Sequence, residues 1–68
     1  VKQPKIGQIW YDKHNEFFYI IKQVELDMQC CYAVCLNTSR NGGYVLGKTE
    51  YFRMSGVLQD NLISNPDN

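Results

Sequence analysis

Strand-like alternation dominates the first half of the chain. In the stretch "KIGQIWY", Ile6, Gln8 and Trp10 would point one way and Gly7, Ile9 and Tyr11 the other, so a first strand is expected over residues 6–11. The polar stretch "DKHNE", residues 12–16, makes a turn, because Asp and Asn side chains bond to nearby backbone. A long second strand, "FFYIIKQVE", follows over residues 17–25. It is apolar without interruption from Phe17 to Ile21 and then alternates, a pattern expected where both faces are covered at one end and one face is wet at the other. The connection "LDMQ" is short enough for a hairpin.

The third strand is "CCYAVCL", residues 30–36, with Cys31, Ala33 and Cys35 on one face and Cys30, Tyr32, Val34 and Leu36 on the other. Asn41-Gly42 inside "NTSRNGG" is the clearest turn signal, because both residues tolerate positive φ. "YVL" at 44–46 reads as a short fourth strand with Gly47 as a kink, and "TEYFRM" continues it or makes a fifth. Near the end, Val57, Leu58, Leu62 and Ile63 predict one helical turn behind Ser55 and a short closing strand at Leu62 and Ile63. Residues 64–68 read as a frayed tail. The chain shows no repeat or low-complexity segment and reads as one domain over residues 1–68.

Short strands without a long helix leave one question open: what covers the apolar face of the sheet. Curling the sheet on itself would answer it, so the expected fold is mainly all-β, a small antiparallel barrel of four or five strands with a short C-terminal helical turn. "KIGQIWYD", then "EFFYIIKQVE", and the late "EYFRM" with "NLI" resemble the SH3-like small barrels of short prokaryotic and phage-type proteins. In those a first strand of the form Gly-x-hydrophobic-aromatic leads into a long second strand, and a Leu-Ile pair closes the barrel after a helical turn. The likeness runs over residues 6–63 and lies in pattern. It implies a fold that hosts many unrelated binding roles, and no functional residue is carried over from it.

Composition narrows the classes. Seven basic and seven acidic residues give a net charge of zero, which weakens a nucleic-acid role, since phosphate neutralisation supplies most non-specific affinity. The region 40–53 is locally basic through Arg40, Lys48 and Arg53 against Glu50, Lys2 and Lys5 start the chain, and Asp60 and Asp67 make its end acidic. No apolar run of membrane-spanning length and no secretory leader is read, and the odd cysteine count of three points to a reducing, cytoplasmic setting. The sequon Asn37-Thr38-Ser39 carries little weight without secretion.

The cysteines are the first candidates for chemistry. Cys30 and Cys31 would point to opposite faces, and Cys31 and Cys35 would stand about 13 Å apart on an ideal strand. That spacing suits neither a shared zinc ion nor a disulfide. An activated thiol would need His14 nearby, and the simpler role is a low, smooth strand face made by small apolar side chains. No catalytic grouping, cofactor or metal site is expected.

Nine aromatic residues exceed what so small a core holds easily. Trp10, Phe18, Tyr32 and Phe52 are expected inside, and Tyr11, Phe17, Tyr19, Tyr44 and Tyr51 at the surface. The leading expectation is a non-enzymatic module that binds a protein partner, in the manner of a phage or mobile-element inhibitor or adaptor. Its candidate binding residues are Tyr11, Lys13, His14, Arg40, Tyr44 and Lys48. The alternative is a nucleic-acid-binding SH3-like barrel using the Arg40–Arg53 region and exposed aromatics, which stack on bases. Self-association is a separate expectation, from the small core and any open strand edge.

Overall fold

The computed structural model describes residues 3–66; the charges of Lys2 and Asp67 lie outside the described residues. Five strands, β1 (Ile9–Asp12), β2 (Phe17–Glu25), β3 (Cys30–Cys35), β4 (Thr49–Arg53) and β5 (Asn61–Ser64), form one antiparallel sheet, with a single helical turn, α1 (Met54–Val57), before β5. The all-β expectation holds. The strand order is β4-β3-β2-β1-β5. The sheet is not closed: β4 and β5 are its two ends, and no ladder joins them among the described residues.

Both leading hairpins use one device. Asp12 pairs with Phe17 and Glu25 with Cys30, each across a four-residue loop whose last residue has positive φ, Glu16 at 58° and Gln29 at 54°. Asp12 also holds the first loop through its carboxylate, which accepts from the Asn15 backbone and side-chain N–H groups. Before β1, Gly7 N–H donates to the Ile21 carbonyl while Ile21 N–H donates to the Gln8 carbonyl. Two residues thus oppose one, which makes a bulge, and Gly7 takes the positive φ of 91° that it needs. Pro66 lies beside this bulge: a Cβ added at Gly7 would sit 3.0 Å from Pro66 Cγ. The frayed tail expected from residue 64 starts at Ser64, the last residue of β5, and Pro66 is exposed; residues 67 and 68 lie outside the described residues.

A second bulge decides which aromatics are inside. Ile21 pairs with Ala33 and Gln23 with Tyr32, so Lys22 is the extra residue. Phe17, Tyr19 and Ile21 face the core before it, and Val24 packs against the core after it. This corrects three assignments. Phe17 and Tyr19 are fully buried rather than exposed, and Phe18, expected inside, is 38% exposed on the other face. Tyr32 is half-buried on that same outer face. Trp10 is core as expected, and Phe52 packs against the core.

The segment 44–46 forms no strand. It belongs to the connection 36–48, in which side-chain hydroxyls replace ladder partners: Tyr44 N–H donates to Ser39 Oγ and Leu46 N–H to Thr38 Oγ1. The Asn41-Gly42 turn does form, with Gly42 N–H donating to the Ser39 carbonyl. This connection explains why an open sheet suffices. It lays the Tyr44 ring on Phe17, with centroids 4.5 Å apart and planes 11° apart, and α1 adds Val57. Those two elements cover the inner face that barrel closure would otherwise have to cover. Among the described residues, no helix is long and apolar enough to cross a membrane.

Candidate functional site

The six candidate residues fall into two groups. Lys13 and His14 are exposed in the first hairpin loop, and the connection 36–48 is tied to that loop: Arg40 N–H donates to the Asn15 carbonyl at 2.9 Å, and the Arg40 guanidinium lies 3.7 Å from Glu16. Lys48 is exposed at the far end of the connection, where its carbonyl accepts from Cys35 N–H. Tyr44 joins the inner aromatic cluster with Phe17 and Phe52. Tyr11 points the other way, 4.5 Å from the Phe18 ring on the outer face. Tyr11 and Tyr44 therefore lie on opposite sides of the sheet.

Asn37 links the same two loops. Its Oδ1 accepts from Phe18 N–H at 2.7 Å, and its Nδ2 donates to the Glu16 carbonyl. The side-chain amide of the Asn37-Thr38-Ser39 sequon is thus spent on holding β2 to the connection.

The thiols are placed for packing. All three cysteines are free and buried. Cys31 and Cys35 flank Ala33 in the core cluster. Burial first, and then the neighbouring Cys30, push the Cys31 thiol up to about 11, so it stays protonated and a poor nucleophile at neutral pH. Cys35 is raised too, by burial and then by Glu50. Cys30 faces the opposite way, closed off between its cross-strand neighbours Glu25 and Arg53.

A polar contact closes one end of the inner face. Tyr19 Oη donates to Asp60 Oδ2, tying the segment before β5 to the core strand β2. Burial raises Tyr19, and the hydrogen bond to Asp60 raises it further. Burial also raises Asp60, against the lowering effect of the Tyr19 hydroxyl. Every part of this contact serves to close the fold.

The outer face is different in kind. Cross-strand partners place its side chains in rows. Tyr11, Phe18 and Leu36 make the first, Leu36 N–H donating to the Phe18 carbonyl. Ile9, Ile20 and Val34 make the second, ending on Thr49. Tyr32 and Tyr51, beside Gln23, make the third, the two rings meeting edge to face at 5.8 Å. No charged side chain stands within these rows. Asn61 and Ser64 of β5 border them on one side and Thr49 and Gln23 on the others. Eight apolar positions on strands spaced about 4.8 Å and in rows about 7 Å apart give a footprint of about 270 Å², close to the lower end for the largest apolar patch on an ordinary monomer. Of its apolar side chains Phe18, Leu36 and Tyr51 are exposed, and Ile9, Tyr11, Ile20, Tyr32 and Val34 are half-buried.

Sequence reasoning held part of this face, Tyr11 and Tyr51, but missed Phe18, Ile20, Val34 and Leu36. The signal was the uninterrupted apolar run Phe17–Ile21, which needs cover on both faces of β2.

No protein-family model matches the chain, and no curated protein or solved structure gives a significant match to it.

Proposed function

We propose that the chain is a non-enzymatic interaction module whose outer sheet face docks a protein partner. One observation carries this reading: three adjoining rows of aromatic and aliphatic side chains, free of charge and rimmed by polar residues, on a face where Phe18, Leu36 and Tyr51 are exposed. An apolar centre with a polar rim is the anatomy of a protein interface. A nucleic-acid role is less well supported, because Arg40 stands against Glu16 and the inner-facing Tyr44 is not beside the outer aromatics. The thiols, free and buried, go with a reducing, cytoplasmic setting. As to fold family, the strand order, the long β2 and the helical turn between β4 and β5 support an SH3-like arrangement left open between β4 and β5. A phage or mobile-element inhibitor or adaptor is the kind of protein this likeness suggests.

The occupant is argued to be a partner of different sequence, through the sheet edges. β4 carries the inward-side Glu50 on the face of Phe52, and β5 is bulged between its pairings with Ile9 and Trp10. Both are devices that discourage edge-to-edge pairing of copies. The footprint of about 270 Å² is well below the roughly 800 Å² per partner that a stable complex buries, so any partner reaches beyond it.

The test compares three baits in affinity capture: the native chain, Ile20→Thr/Val34→Thr in the centre of the face, and Lys13→Ala/Arg40→Ala in the loops. Threonine keeps the β-branched shape, so the face variant retains its fold, which circular dichroism checks. A partner held by the native and loop-variant chains and lost by the face variant supports the reading. A partner lost only by the loop variant contradicts it.

A further inference from the structure

The outer face does not end at the tyrosine row. Next along the strands stand Glu25, Cys30 and Arg53, paired across β2, β3 and β4. Between the second hairpin loop and α1, an open depression of 330 Å³ is lined by Met28, Gln29, Tyr51, Arg53 and Ser55. Tyr51 belongs to both surfaces, so the depression continues the apolar face. No acidic residue lines it, and Arg53 has no ion pair among the described residues. Met28 is 70% exposed and Tyr51 52% exposed, large apolar groups held beside that guanidinium.

We propose that this depression receives the side-chain carboxylate of an Asp or Glu in the partner segment that covers the outer face. A guanidinium offers a planar fork of donors that matches a carboxylate with two parallel hydrogen bonds. The hydroxyls of Tyr51 and Ser55 supply further donors, and Met28 and the Tyr51 ring give an apolar wall to the stem of the acidic side chain. The small footprint of the apolar face is the second reason. An interface of ordinary size must reach beyond it, and the depression is an adjoining surface with an unneutralised charge. The partner is thus an extended segment with apolar residues followed by an acidic one. This inference rests on the docking role of the outer face, and the test separates the two.

The native chain is used to select binders from a random linear peptide library fused at its C-terminal end, so that no displayed peptide has a free terminal carboxylate. The expected binders carry apolar or aromatic residues and a recurrent Asp or Glu. Synthesised, such a peptide should bind Arg53→Gln about tenfold more weakly than the native chain, the size of one charge-assisted hydrogen-bonding contact. Its amide version, Asp to Asn or Glu to Gln, should bind both proteins alike, closing the double-mutant cycle. Arg53→Lys should recover part of the loss. Peptides that need Ile20 and Val34 but ignore Arg53 overturn the carboxylate site and leave the docking face standing. Peptides indifferent to Ile20→Thr/Val34→Thr, or no binders at all, overturn the docking face and this inference with it.

Discussion

At the scale of single residues, Asp60 is the most informative group. Its carboxylate accepts the hydrogen bond of the buried Tyr19 hydroxyl, so Asp60→Ala leaves that hydroxyl unpartnered and should cost about 1–3 kcal/mol in denaturant unfolding. Asp60→Asn keeps an acceptor and loses the buried charge, so it should cost less than the alanine variant. The sign of the pH dependence follows from the direction of the shift. The folded state holds the Asp60 proton more tightly than the unfolded state, whose value is 3.8. The stability this group contributes is therefore fully present below that value and is lost as pH rises through the raised folded value. Comparing unfolding of the native chain and Asp60→Asn from pH 3 upward isolates it. The variant should lack this decline, and the same decline in both proteins would contradict the assignment. Gly7 is the second test. It combines positive φ with the nearby Pro66 ring, so Gly7→Ala meets backbone strain of about 1–2 kcal/mol and a steric contact as well. A measured loss below about 0.5 kcal/mol would mean that the bulge does not need glycine.

At the scale of elements, β3 and β2 show what was legible in the sequence and what was not. The alternation of Cys31, Ala33 and Cys35 against Cys30, Tyr32 and Val34 was readable because small and bulky side chains alternate there. In β2 the run Phe17–Ile21 is apolar at every position, so its phase has to be taken from the alternating end. Counted back from Val24 by strict alternation, Phe18 falls inside. The bulge at Lys22 shifts the phase by one and puts Phe17 and Tyr19 there instead. A bulge of this kind has no residue signature in "IKQV". The segment 44–46 was misread for another reason: its strand formers serve to drop one ring, Tyr44, onto Phe17 from a loop held by Ser39 and Thr38 hydroxyls. Packing of β3 gives a test of its own. With Cys31 and Cys35 closed in the core, an aromatic disulfide reagent should label no thiol of the native chain on the time scale of seconds and all three after unfolding in guanidinium. Rapid labelling of one thiol in the native chain would show an opened strand.

At the scale of the whole molecule, the problem the fold solves is the cover of a two-faced sheet. The connection 36–48 and α1 close the inner face, which removes the need to close the barrel. Neither the connection 36–48 nor α1 is seen to perform that service for the outer face, where Phe18, Leu36 and Tyr51 are exposed. The charged candidates, Lys13, His14, Arg40 and Lys48, were drawn from turns and loops, where no sequence rule separates a tethering arginine from a binding one, and Tyr11 and Tyr44 were added from expected strands. The outer face could be assembled only from the strand register, since its rows join residues as distant as Ile9 and Val34. Because both sheet edges carry guards, the chain should sediment as a monomer at micromolar concentration, and Ile20→Thr/Val34→Thr should leave that mass unchanged. A dimer that dissociates in this variant would make a second copy the occupant of the face.

The most direct measurement is an amide chemical-shift map of the isotope-labelled chain, titrated with a peptide selected by it. If the outer face is the docking surface, the shifted amides form one set across β1, β2, β3 and β4, centred on Ile20 and Val34 and reaching Tyr51 and Arg53. Shifts confined to the loop of Lys13 and His14 and the connection around Arg40, with β2 and β3 unmoved, would contradict the account.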